Sequence, residues 1–185
     1  IFGGVSVEHE VSIISAVQAM QALDKEKYDV IPIYIAKDRE MYTGEILKDM
    51  STYTDMDLLK RWTQNVSLVN KKGKFYLQTK GLFKRYITEI ELILPVCHGT
   101  NMEDGTLQGY LQTIGIPYCE SDVASSSIAQ DKVTQKLVFQ SVGLPMTAFT
   151  WFYDTDFRAN ENEILKECAK LKYPLIVKPA TLGSS

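Results

Sequence analysis

Leu94-Pro-Val-Cys-His98-Gly-Thr-Asn-Met-Glu103-Asp104-Gly-Thr-Leu-Gln108-Gly is the stretch on which the reading of this chain turns. An apolar strand runs into a tight turn carrying an imidazole, an amide and two adjacent carboxylates, and a helix start follows at once. In open α/β sheets ligands bind at such strand ends, because side chains are delivered into a crevice while helix N-termini point backbone N–H groups at it. The uninterrupted apolar run from Leu92 to Val96 predicts a strand buried on both faces of a parallel sheet. Asp104 is placed to cap a helix from about Gly105 to Ile114, ended by Gly115 and Pro117.

Upstream, residues 1–3 read as a strand end. From about His9 to Leu23 the apolar positions Val11, Ile14, Ala16 and Met20, with Ile13 beside them, fall near helical spacing. Tyr28 to Ile35 is rich in strand formers, so the first unit is βαβ. Residues 36–91 read as an insertion carrying a small hairpin, in which two β-rich runs flank Asn70-Lys-Lys-Gly73. Downstream, Ser121-Asp122 supplies caps for a short helix, and Asp131 to Val142 is a longer one ended by Gly143-Leu-Pro145. Thr147 to Tyr153 reads as a strand. Asn160 with Glu163 resembles a capping box, opening a helix whose buried face is Ile164, Leu165, Cys168 and Leu171. A final strand is expected from Leu175 to Lys178. No internal repeat or low-complexity tract is visible.

At 185 residues and 45% hydrophobic content the chain can bury a real core, one domain and part of another. A net charge of −3 argues against non-specific nucleic-acid or membrane-surface binding, which needs a basic face. Cys97, Cys119 and Cys168 are odd in number, widely spaced, set in apolar or helical contexts and without a C-x-x-C pair, as expected of buried thiols in a reducing cytosol. No apolar run approaches the roughly 18 residues that span a bilayer, and no signal peptide is seen. Ile1-Phe-Gly-Gly opens without an initiator methionine and Lys178–Ser185 stops in a glycine-containing loop, so the sequence reads as a fragment.

Gly3-Gly4-Val-Ser6-Val-Glu8-His9-Glu10 lies where the first strand hands over to the first helix. One reading is a glycine turn whose acidic residues complement the helix dipole. The other is a binding turn. It is not a dinucleotide fingerprint, since Gly-x-Gly-x-x-Gly is absent, which also counts against a nucleotide-dependent dehydrogenase. An acidic side chain at a strand end suits an ammonium group, and Glu8 and His98 sit at the ends of strands expected to be neighbours. His98 alone could be a satisfied structural histidine, but glycines at 99, 105 and 109 allow close approach around it. Glu103 and Asp104 could ligate a metal, yet vicinal carboxylates at a helix start favour a structural role as cap and partner. Lys178 precedes a Gly-Ser loop whose N–H groups could approach phosphate oxygens, and Lys132 at a helix beginning offers a second cation. Taken alone, either lysine reads first as a solvated surface charge. The loop is not a Walker A motif.

The ordered blocks Gly3-Gly4-Val-Ser6-Val-Glu8-His-Glu10-Val-Ser12, His98-Gly-Thr-Asn-Met-Glu103-Asp104-Gly-Thr-Leu-Gln108-Gly, Gly115-Ile-Pro-Tyr118, Asp131-Lys132 and Lys178-Pro-Ala-x-x-Gly183-Ser-Ser185 span nearly the whole chain. Together they resemble the amino-terminal part of the D-alanine-D-alanine ligase family of the ATP-grasp superfamily. The resemblance implies an α/β fold: a doubly wound, Rossmann-like pre-ATP-grasp domain over residues 1–120, then the incomplete start of an ATP-grasp domain over 121–185. It implies transfer of the γ-phosphoryl of ATP to a first D-alanine and attack by the amine of a second, in cytoplasmic peptidoglycan precursor synthesis. Such catalysis is mostly positioning and charge neutralisation. ATP and Mg²⁺ are the implied cofactors, and a homodimer the implied assembly.

By position the resemblance gives Glu8 the ammonium of the first D-alanine and Ser184 a supporting hydrogen bond, both in catalytic roles, with His98 beside that substrate. Lys132, Lys178, Gly183 and Ser185 fall to ATP binding. No metal ligand falls within the chain, and the fragment alone is expected to be inactive. Met102 stands where the family carries glycine, a bulky side chain at a flexible turn position. Two alternatives stay open: a non-catalytic D-amino-acid-binding or interaction module derived from a ligase, and a ligase taking D-lactate or D-serine as second substrate.

Overall fold

The structure, a computed structural model, describes residues 1–182. Strand β1 (Phe2–Gly3) leads into helix α1 (His9–Ala22) and returns as β2 (Tyr34–Ile35), which pairs parallel to β1. This is the expected βαβ unit, although regular pairing takes up only the last two residues of the Tyr28–Ile35 run. The residues expected to form an insertion instead continue the same sheet. After β3 (Met41–Thr43) come two 3₁₀ turns and α2 (Met56–Trp62), then β4 (Gln64–Lys71), β5 (Lys74–Thr79) and β6 (Tyr86–Ile90). The six strands lie in the order β1-β2-β3-β4-β5-β6, antiparallel from β2 onward. The expected hairpin is β4–β5. Its two turn residues, Lys72 and Gly73, both have positive φ (54° and 83°), the twist-matched geometry that keeps flanking strands in register.

Side chains alternate across the sheet, and each face has its own core. Ile1, Ile33, Ile35, Val66, Leu68 and Leu77 pack with Leu107 and Leu111 of α3 (Thr106–Ile114). Phe2, Tyr34, Ala36 and Tyr42 point the other way, onto Ile13 and Ala16 of α1 with Leu47 and Leu59. The sheet is therefore covered on both faces, as a doubly wound α/β fold requires. Within α1 the buried positions are His9, Ser12, Ile13, Ala16 and Val17, whereas Val11 and Ile14 of the expected stripe are exposed. The inward face is chosen by small and polar residues that fit against the strand ends, so counting apolar residues misplaced it.

The Leu92–Val96 run lies beside the first strand without forming a regular ladder. Ile1 N donates to Leu94 O and Val96 N to Ile1 O, each at 2.8 Å. On its other side Ile93 bridges Tyr118 in parallel. Burial on both faces does not hold. Ile93 is buried against the α3 core, whereas Leu92 and Leu94 are 50% and 39% exposed. They face a groove of about 780 Å³ lined by Ala16, Met20, Leu23, Tyr28 and Val96 among others.

Helix α3 starts one residue later than expected. Gly105 occupies the N-cap in a left-handed conformation, and Asp104, just outside, accepts from Thr106 N at 3.0 Å. Gly115 closes the helix by donating to Leu111 and Gln112 carbonyls. Asp122 caps α4 (Val123–Gln130) as anticipated, and Asp131, expected as the first residue of the next helix, is the cap of α5 (Lys132–Ser141). Helix α6 (Asp154–Ala169) begins six residues before Asn160, which sits at an internal kink rather than at a cap. Of its expected buried face, Ile164, Cys168 and the following Leu171 are half-buried and Leu165 is exposed. Thr147–Tyr153 and Leu175–Lys178 form no strand among the described residues. Strand propensity needs a ladder partner, and no described segment supplies one. Among the described residues no helix is long and apolar enough to cross a membrane.

The cysteines differ in environment. Of the three thiols expected to be buried only Cys97 is, and burial pushes it up to about 12, whereas Cys119 is exposed and Cys168 half-buried. Burial disfavours the charged thiolate of Cys97, and the thiolate is the reactive form. Ellman's reagent should therefore label Cys119 in the native protein and reach Cys97 only after denaturation. Rapid native labelling of Cys97 would contradict this burial.

Candidate active site

Two turns, 4–8 and 97–105, leave neighbouring strands on the same side of the sheet and interlock. A Cβ on Gly4, whose φ is +93°, would lie 2.3 Å from Met102 Sδ. A Cβ on Gly99, whose φ is +81°, would lie 2.5 Å from Glu8 Oε2 and 2.6 Å from Ser6 Oγ. Each turn thus offers a bare glycine to a side chain of the other. Met102 is 2% exposed and sits in ordinary backbone geometry, since the left-handed positions are Gly99, Asn101 and Gly105. Its bulk goes into the core instead of distorting the turn.

The first turn is braced from below by His9, which is 3% exposed. Its Nδ1 lies 2.6 Å from Gly4 O and its Nε2 2.9 Å from the Tyr34 hydroxyl. A carbonyl only accepts, so Nδ1 carries the proton and Nε2 accepts from the tyrosine. With the turn fixed, Glu8 stands at the N-cap of α1 without capping it. Its Oε2 is buried and has no hydrogen-bond partner among the described residues. A buried polar atom left unsatisfied costs about 1–3 kcal/mol, more when charged, so this oxygen is arranged for a donor from elsewhere.

His98 is held at three atoms by serines. Its backbone N donates to Ser12 Oγ at 2.9 Å, its carbonyl accepts from Ser6 Oγ at 2.8 Å, and its Nε2 lies 2.9 Å from Ser15 Oγ. Ser12 in turn donates to Glu8 O at 3.2 Å. The second turn is closed by its own carboxylates: Glu103 accepts from Gly99 N at 2.6 Å and Asp104 from Asn101 N at 2.7 Å. Glu103 Oε1 also stands 3.8 Å from His98 Nδ1. The structural role expected of Glu103 and Asp104 is what these bonds describe. Asp104 is held below the usual carboxylate range: partial burial raises it, but hydrogen bonds from Asn101 and Thr106 outweigh that. Ser15 was not singled out from the sequence. The signal was there, since 8, 12 and 15 follow the i, i+4, i+7 spacing of one helical face.

Glu8 and His98, expected to converge, are brought together. Lys132 opens α5, where its backbone N donates to Ala180 O at 3.0 Å and its Nζ to Leu182 O at 2.6 Å. The segment that follows Lys178 is therefore docked on the start of α5, with Lys178 itself exposed. Gly183, Ser184 and Ser185 lie outside the described residues. Among the described residues no group of three His, Cys, Asp or Glu could hold a metal ion.

Residues 1–121 match the family model described as D-ala D-ala ligase N-terminus, and residues 138–185 the one described as D-ala D-ala ligase C-terminus. The D-alanine-D-alanine ligase of Thermosipho melanesiensis is 43% identical over 185 residues, all of this chain and 49% of the relative. That of Enterococcus faecalis is 35% identical over 187 residues and covered to 52%. The chain thus spans about half the length of the curated relatives it matches. Among solved structures, the D-alanine-D-alanine ligase from Coxiella burnetii superposes with a TM-score of 0.84 at 29% identity, covering 100% of this chain and 51% of that one. The VanG D-Ala:D-Ser ligase from Enterococcus faecalis gives 0.71 at 32% identity, covering 99% and 51%.

Two stability measurements test this geometry. Gly4→Ala should destabilise by about 2 kcal/mol or more, from left-handed strain and collision with Met102. Met102→Ala should cost less in the Gly4→Ala background than in wild type, a coupling of about 0.5–3 kcal/mol in a double-mutant cycle. Strict additivity would mean that the turns do not interlock. Asp104→Asn should cost about 1 kcal/mol at pH 7. Because the folded carboxyl titrates below its ordinary value of 3.8, its contribution is complete above that pH and disappears as pH falls through the folded value. The gap from wild type should therefore close in acid, and a constant gap would contradict the assignment.

Proposed function

The chain belongs to the D-alanine-D-alanine ligase family, and from that premise we propose that it forms the amino-terminal half of an ATP-dependent ligase joining two D-alanines. The γ-phosphoryl of ATP passes to the carboxylate of the first D-alanine, turning a poor leaving oxygen into a good one. The amine of the second D-alanine attacks the acyl phosphate, forming the amide and releasing phosphate. The single observation behind this reading is the buried, unpartnered Glu8 Oε2 beside the anchored His98. An ammonium satisfies that oxygen, and a nearby imidazole N–H suits the carboxylate of the same amino acid. Lys132 and Lys178 serve as point charges for the phosphates, and Gly183 and Ser185 keep the ATP-binding role, and Ser184 the supporting role, that the family resemblance implies. Mg²⁺ would neutralise phosphate charge, and its ligands are assigned to no described residue. A boundary near residue 120, a homodimer, and a cytoplasmic place in peptidoglycan precursor synthesis belong to the same proposal.

The second amino acid is proposed as D-alanine, in line with the two ligases that are 43% and 35% identical. The likeness to a D-Ala:D-Ser ligase makes D-serine the alternative to assay.

The full-length enzyme should release phosphate from ATP when given Mg²⁺ and D-alanine. Glu8→Gln should raise KM for the first D-alanine about 10- to 100-fold, the worth of a hydrogen bond to a charged group, and leave KM for ATP within about twofold. Absence of phosphate release would overturn the enzymatic reading. D-alanine binding by calorimetry without any turnover would instead favour a binding module derived from a ligase.

A further inference from the structure

The D-alanine reading assigns a contact to His98 but not the means by which one ring nitrogen is chosen to make it. We propose that Ser15 is the positioning residue for His98: its hydroxyl donates to Nε2, holds the neutral ring in the Nδ1–H tautomer, and leaves Nδ1 to donate to the substrate carboxylate. This inference rests on that reading of the site. Ser15 Oγ lies 2.9 Å from Nε2, while Glu103 Oε1 stands 3.8 Å from Nδ1, beyond hydrogen-bond distance. Gly99 N donates to Glu103 Oε2 and so fixes the carboxylate, with its other oxygen, Oε1, standing 3.8 Å from Nδ1.

The remaining freedom of His98 is small. Ser12 and Ser6 fix its backbone N and O, leaving ring rotation as the variable that Ser15 removes. The ring is about one third exposed, so without Ser15 a half-turn would expose either nitrogen to the crevice. An acceptor nitrogen there would repel a carboxylate.

The tautomer is directly readable by long-range ¹H–¹⁵N correlation in protein labelled with ¹⁵N-histidine at roughly pH 8.5. His9, fixed as Nδ1–H by Gly4 O, is the internal standard for an intact fold. Wild-type His98 should show the Nδ1–H pattern. Ser15→Ala should shift it toward Nε2–H and leave His9 unchanged, and Ser15→Thr should restore the wild-type pattern. In parallel, Ser15→Ala should raise KM for the first D-alanine about fivefold or more, with kcat little altered and Ser15→Thr near wild type. A wild-type His98 in the Nε2–H form overturns the proposal, and that result needs no variant to fold. So does Ser15→Ala with unchanged tautomer and KM. His98→Gln separates the two levels: if it leaves KM for D-alanine unchanged, the site reading fails. If it raises KM while Ser15→Ala changes nothing, only the role of Ser15 fails.

Discussion

Two glycines facing each other's turns are the constraint from which the candidate site follows. Gly4 leaves room for Met102, and Gly99 leaves room for Glu8 and Ser6. Contacts of 2.3–2.6 Å to a Cβ at either place lie far inside van der Waals distance, so a side chain there would force Met102, or Glu8 and Ser6, out of the positions they hold. With the turns engaged, the serines of the first turn and α1 come within reach of His98, and the Glu8 carboxylate is pressed against a backbone that offers it no donor. The parallel backbone bonds between Ile1 and Leu94–Val96 bring the two strand ends level. The glycines set how closely the chains that leave them can approach.

The carboxylates around the crevice divide into spent and unspent groups. Glu103 and Asp104 accept backbone N–H groups and hold the second turn closed. Glu8 sits at a helix N-terminus, where a carboxylate would ordinarily cap, and yet Oε2 accepts nothing. The backbone N–H of Glu8 itself donates to Ser6 Oγ at 2.9 Å, a bond that fixes the backbone under the acid without engaging its carboxylate.

Much of this was legible in the sequence wherever the cause was local. Helix α1, the Lys72-Gly73 turn, the Gly115 stop and the Asp122 cap follow from dihedral preferences and capping chemistry within a few residues. Convergence of Glu8 and His98 was legible because strand-end logic needs only the order of elements. Features that depend on distant partners were not. Leu92–Val96 looks fully buried by composition, but burial of its outer face depends on what lies across the groove. Thr147–Tyr153 and Leu175–Lys178 have strand-like residues without a described ladder partner. The supposed insertion could not be seen to join the main sheet, because antiparallel register between β3 and β4 is set by long-range packing rather than by any residue within either strand. Met102 drew attention as a misfit in its turn, whereas its position is explained by a glycine 98 residues earlier.

Ser12 has a consequence beyond satisfying its neighbours. A hydroxyl can donate and accept at once, and this one donates to the backbone of Glu8 while accepting from the backbone of His98. The acid and the imidazole are thereby tethered to a single turn of one helix. The distance between them becomes a property of α1 and not of two separately fluctuating loops. Ser6 and Ser15 add their own bonds to His98, so the spacing is held by three hydroxyls of one turn and one helix.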